Sequence, residues 1–150
     1  MKQKLKLALV GAGERGQYCY APYAKMHGYE IEFVAVADPH KGRREKFVQD
    51  YHVPAEGVFE TAEQFFARPR MADAVLICTQ DSQHYAYACQ AIDLGYSILL
   101  EKPISPSVRE CLDLQRRAEE KGTQIMVCHV MRYTKFYRKL KELIDSGKFG

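Results

Sequence analysis

A chain of 150 residues, 47% of them apolar, can bury the core of one ordinary domain and has no room for a second full one. Its formal charge of +3, from 22 basic and 19 acidic residues, excludes the concentrated basic stripe of a nucleic-acid binder. The excess lies largely in residues 132–148, where six Lys/Arg face only Glu142 and Asp145, as on a solvated helix face.

No apolar run approaches the roughly 18 residues of a membrane span, so no membrane partner is expected. The opening Met1-Lys2-Gln3-Lys4-Leu5-Lys6 has neither the apolar core nor the cleavage site of a secretory signal. Cys19, Cys78, Cys89, Cys111 and Cys128 are odd in number and lack a Cys-x-x-Cys pair, the pattern of free thiols in a reducing compartment. A cytoplasmic protein without a metal centre is the expectation.

Short β-rich apolar runs alternate with amphipathic segments along the whole chain. Strands are predicted at 5–10, 30–37, 57–59, 73–79, 96–101 and 123–129, and the unbroken apolar run Ala74-Val75-Leu76-Ile77-Cys78 is that of a strand buried on both faces. Helices are predicted to begin near Glu14, Lys41, Thr61, Ser82, Ser105 and Tyr133, several at a capping Ser or Thr. Gly28, Gly95, Gly122 and Gly147 are read as left-handed stops. Pro22 predicts a kink or a late start in the first helix.

The last predicted helix sets Tyr133, Phe136, Tyr137, Leu140, Leu143 and Ile144 on one stripe, which reads as a packed helix. With right-handed crossovers these elements make an α/β fold, a doubly wound and mostly parallel sheet of order 3-2-1-4-5-6.

Gly11-Ala12-Gly13-Glu14-Arg15-Gly16 closes the first strand and opens the first helix. In such a turn the first glycine permits the bend, the second lets backbone approach a pyrophosphate, and the third lets helix and strand pack closely. Helix N-terminal N–H groups add to the anion site. Asp38 ends the second strand 22 positions after Gly16, close to the offset of about 20 residues at which an acid meets the adenosine ribose. A carboxylate there favours NAD over NADP. Arg43 and Arg44 are read as exposed positions in the next helix, with pairing to a 2′-phosphate as the alternative.

Thr79 and Asp81 follow the fourth strand and can line the same cleft, with Ser82 starting a helix. His84, in its first turn, reads as structural or as a cofactor-side residue. His27, His40 and His52 read as surface or loop residues. Glu101-Lys102-Pro103 ends the fifth strand. Its two charged side chains are expected to face opposite ways, with Lys102 placed to donate to a substrate oxygen.

Four stretches, the Gly11–Gly16 turn, Val36-Ala37-Asp38-Pro39, Cys78-Thr79 with His84, and Gly95 through Glu101-Lys102-Pro103, together resemble the dinucleotide domain of the Gfo/Idh/MocA oxidoreductases. The closing segment from Val130-Met131-Arg132-Tyr133 to Lys148-Phe149-Gly150 resembles that family's crossing into a second domain. The resemblance implies a Rossmann fold in which Gly11, Gly13 and Gly16, with Glu14 and Arg15 between them, hold the pyrophosphate of NAD, and Asp38 its adenosine ribose. It places Thr79, Asp81, His84, Glu101 and Arg132 toward the nicotinamide and Lys102 at the reacting hydroxyl. Thr79-Gln80-Asp81 departs from the family's usual Thr-Pro-Asn.

Family members carry a further α+β substrate domain. Residues 1–150 therefore read as the NAD-binding half of a dehydrogenase acting on a sugar, cyclitol or related polyol, one that binds NAD and turns over little alone. An NAD-dependent glycosidase of the same superfamily and a non-catalytic dinucleotide sensor are the alternatives. Apolar surface left by an absent partner domain would favour a homo-oligomer.

Overall fold

The computed structural model describes residues 3–148; Met1, Lys2 and the final Phe149-Gly150 of the crossing segment lie outside the described residues. Six strands, β1 (Leu5–Val10), β2 (Ile31–Ala37), β3 (Val58–Phe59), β4 (Ala74–Ile77), β5 (Ser97–Leu100) and β6 (Ile125–Val127), form one all-parallel sheet of order β3-β2-β1-β4-β5-β6. That is the order expected from the sequence. The helices are α1 (Pro22–Met26), α2 (Lys41–Tyr51), α3 (Ala62–Phe66), α4 (Asp81–Asp93), α5 (Val108–Lys121) and α6 (Lys135–Asp145).

Side-chain alternation along each strand divides the core into two layers. Ala8, Val10, Val75, Ile77, Ile98 and Leu100 pack with Phe65, Tyr87, Ala88, Ile92 and Leu114 of α3–α5. Leu7, Leu9, Phe33, Val36 and Leu76 pack with Ala24 and Phe47 of α1 and α2. Burying a Leu, Ile or Phe contributes about 1.5–3 kcal/mol, so the central strands β1 and β4, apolar on both faces, anchor the sheet. Gly57 lets β3 approach, since a Cβ there would collide with the Val34 carbonyl of β2.

Local chemistry moves several predicted boundaries. The first helix starts at Glu14 as a π-helical turn through Tyr20, closed by Ala21 N–H donating to Gly16 O at 3.0 Å; Pro22 then opens α1 at its N1 position. Pro22 has no N–H to donate, and N1 needs none. The expected Ser82 start gives way to Gln80 as N-cap, with Gln80 N–H donating to Gln83 Oε1 at 3.3 Å. α5 begins at Val108 behind Ser107, beyond Pro106, and not at Ser105, whose hydroxyl bonds Glu110 instead. α6 begins at Lys135, capped by Thr134, after a 3₁₀ turn at Val130–Tyr133.

Gly95, Gly122 and Gly147 take the expected left-handed conformation, and Gly28 does not. α1 stops before it at Met26, and a non-glycine, His52 at φ 54°, makes the left-handed stop of α2.

The largest correction concerns α6, which was expected to be packed. None of its residues is buried, and Phe136, Tyr137, Leu140 and Ile144 all stand exposed. Its amphipathic pattern forms the helix without a partner face among the described residues.

Candidate active site

Parallel strands end at one edge of the sheet, and in a doubly wound fold the ligand crevice opens where strand order reverses, here between β1 and β4. The three motif glycines stand there in different surroundings. A Cβ on Gly11 (φ +94°) would come within 2.5 Å of the Cys78 carbonyl oxygen, and one on Gly16 would strike Gly11 O and Leu9. At Gly13 a Cβ would meet only Arg43 Nη1, at 3.9 Å. Two glycines serve contacts inside the protein, and the middle one faces open space.

Asp38, at the end of β2, is buried and holds the turn in place. Its Oδ2 accepts from Ala12 N–H at 2.7 Å and its Oδ1 from His40 N–H at 2.8 Å. The acid thus ties the glycine turn to the start of the next helix, and each oxygen keeps a further lone pair free to accept. The expected exposure of Arg44 is overturned. It is buried, donating to Asp38 O at 2.7 Å and to Glu60 Oε1 at 3.2 Å, and is thereby committed to bracing the β2–α2 loop. Arg43 is exposed, with its guanidinium alongside Gly13.

Beyond β4, Thr79 Oγ1 is buried without a hydrogen-bond partner among the described residues, and so is Gln17 Nε2 of the π-helical turn. Buried polar atoms nearly always have partners, so these two, one following the glycine turn and one following β4, stand out. Asp81 is exposed in the first turn of α4. His84 is fully buried; its Nδ1 lies 2.7 Å from Pro103 O and its Nε2 3.2 Å from Thr79 O. The imidazole therefore spans the β4 and β5 loops, and both ring nitrogens are occupied by protein.

Glu101 and Lys102 do face opposite ways. Glu101 is buried, accepting from Lys102 N–H at 2.9 Å and from the Tyr20 hydroxyl, with Arg15 Nε 3.9 Å away. Lys102 is exposed, and its ammonium makes no hydrogen bond or ion pair among the described residues. Its peptide bond to Pro103 is cis. Arg132 is exposed in the turn that follows β6, and Glu14 and Arg15 are exposed at the start of the π-helical turn.

Burial, together with hydrogen bonds to Cys128 and Glu101, raises the Tyr20 pKa far above that of a free phenol, and burial raises that of Cys78 as well. Both stay protonated. Tyr20 escaped the sequence reading because its partner lies 81 positions away.

An open glycine in the turn after β1 and an acid at the end of β2 suit a dinucleotide. The profile of an oxidoreductase family described as having an NAD-binding Rossmann fold matches residues 5–129. The inositol 2-dehydrogenase of Pseudomonas savastanoi pv. phaseolicola is 31% identical over 97% of this chain and 43% of its own length. The scyllo-inositol 2-dehydrogenase (NAD(+)) of Bacillus subtilis is 29% identical over 100% of this chain and 43% of its own. This chain thus spans less than half the length of these curated relatives.

In fold, the WlbA dehydrogenase of Bordetella pertussis, solved with NADH and UDP-GlcNAcA, superposes with a TM-score of 0.85 at 21% identity, covering 99% of this chain and 44% of that one. With a matching profile over most of its length, the chain belongs to the Gfo/Idh/MocA oxidoreductase family, and its parallel sheet is that family's NAD-binding Rossmann fold.

Proposed function

We propose that this domain is the cofactor half of an NAD-dependent dehydrogenase acting at a hydroxyl-bearing carbon of a sugar, cyclitol or related polyol. The observation that carries the reading is the middle glycine. Among the three motif glycines, Gly13 alone has room at its Cβ position, and it lies in the turn anchored by Asp38. Backbone around Gly11, Gly13 and Gly16, with the adjoining Glu14 and Arg15, would hold the pyrophosphate, and Asp38 would accept from the adenosine ribose.

The second nucleotide half then falls over β4–β6, where Thr79, Asp81, Glu101 and Arg132 stand at strand ends. Bound NAD supplies a hydride acceptor. Lys102, whose ammonium makes no hydrogen bond or ion pair among the described residues, would hold the substrate oxygen and exchange its proton. His84 would act by position, holding the Thr79 and Pro103 carbonyls at one spacing. The five free cysteines suit a cytoplasmic setting.

Calorimetric titration of the chain with NAD and NADP tests this. Micromolar to sub-millimolar NAD binding, lost in D38A and retained within threefold in K102A, is expected. No binding of either nucleotide at millimolar concentration would overturn the proposal.

A further inference from the structure

Three groups surround the Glu101 carboxylate. The Tyr20 hydroxyl donates to Oε1 from the half-buried side, Lys102 N–H donates to Oε2 at 2.9 Å, and Arg15 Nε approaches Oε1 to 3.9 Å from solvent. The Glu101 side chain is 7% exposed and that of Arg15 is 52% exposed. The anchor is therefore a neutral donor in the protein, and the countercharge is a solvent-exposed cation at 3.9 Å. Such an arrangement fixes the place of a negative charge without cancelling it.

We propose that Tyr20 and Arg15 position Glu101 as a fixed charge that sets the preference of the site for oxidised over reduced nicotinamide. The inference rests on the proposed function, which puts the nicotinamide over β4–β6. The oxidised ring carries a positive charge and the reduced ring none, whereas the two pyrophosphates and the adenosine are the same. Contacts made by the glycine turn and Asp38 thus cancel in the ratio of the two affinities, and the field of Glu101 at the ring survives. A charge pair several Å apart at a protein surface is worth roughly tenfold to a hundredfold in an equilibrium constant, with Arg15 offsetting part of it.

Tyr20 is a positioning residue in this scheme. Without its hydroxyl, the carboxylate loses its inner anchor and closes on Arg15, whose charge then cancels it. Removing Arg15 has the opposite sign, because it takes away the opposing charge. Burial heads the causes that raise the Tyr20 pKa, so the hydroxyl remains a neutral donor across the working range of pH.

The experiment is titration of the chain with NAD+ and with NADH for wild type, Tyr20→Phe, Glu101→Gln and Arg15→Gln, read as the ratio of the two dissociation constants. Preference for NAD+ should fall about tenfold in E101Q and about threefold in Y20F, and should rise in R15Q. A merely structural role for Tyr20 would weaken both forms equally and leave the ratio unmoved. The mostly exposed Arg15 gives a variant that retains the fold, so the sign test survives if Y20F unfolds. Binding of both forms with a ratio constant within twofold across the variants overturns this proposal alone. Failure of wild type to bind either form overturns it together with the proposed function.

Discussion

Gly13→Ala and Gly16→Ala change the same motif by one methyl group each, and the structure assigns them opposite consequences. At residue 16 the new Cβ would lie on the Gly11 carbonyl oxygen and 2.8 Å from Leu9 Cδ1. Leu9 is fully buried, and Gly11 is itself pinned against the end of β4, so neither neighbour can retreat. Overpacking of this kind costs about 1–3 kcal/mol, and contact with backbone puts G16A at the upper end. At about 2–4 °C per kcal/mol for a domain of this size, the midpoint should drop by about 6–12 °C.

At residue 13 the backbone has φ −78° and ψ −162°, which alanine adopts freely, and the nearest heavy atom is 3.9 Å away. G13A should melt at or slightly above wild type, because alanine also narrows the unfolded ensemble by about 0.4–1 kcal/mol. Under the proposed function, the same methyl takes space that the pyrophosphate would occupy. NAD affinity should fall at least a hundredfold, about 2.7 kcal/mol. Differential scanning fluorimetry and calorimetry on the two variants separate these effects. If G13A bound NAD within threefold of wild type, the pyrophosphate would not lie against residue 13 and the argument from the open glycine would fail.

Asp38→Ala should lose stability as well as binding, because the Ala12 and His40 N–H groups lose a carboxylate partner worth about 1.5–3 kcal/mol for each bond; an unchanged midpoint would refute that bracing role. Tyr87 donates to Glu63 Oε1 at 2.8 Å, and burial first, then Glu63, pushes its pKa up to about 12. The folded state keeps this proton when the unfolded chain has lost it, so the contribution is whole below about pH 10 and falls as pH rises toward 12. Denaturant midpoints measured from about pH 10 to 12 should decline, and Y87F should make that decline shallower. A chain ending at Tyr133 should melt within about 2 °C of the full one and self-associate less, since α6 buries nothing among the described residues; a large drop would show α6 packed on the domain in solution.

What the residues disclosed in advance is what local chemistry determines. The Ala74–Ile77 run, the strand-closing glycine turn and the acid of β2 are each legible within a few positions, and right-handed crossover then narrows strand order to a few doubly wound answers, of which 3-2-1-4-5-6 is the one observed. Relations across the fold were hidden. Nothing near Tyr20 announces Glu101, and Arg44 looks like any helical surface arginine until the Asp38 carbonyl is placed beside it. The stripe on α6 states that a face is apolar without stating what covers it. The left-handed His52 shows why glycine is an incomplete guide to helix ends: histidine also enters that region.

The motif gives its three glycines different duties, and the space around them differs in the same way: a Cβ at Gly11 or Gly16 would meet protein, whereas one at Gly13 would meet only Arg43 Nη1. The same holds for the charged residues of the crevice. Asp38 and Glu101 each bind a backbone N–H through a carboxylate oxygen, so their replacement would disturb loop geometry together with their proposed nucleotide contacts. Lys102 has no such duty among the described residues, and is therefore the position where a loss of chemistry can be read without a loss of fold.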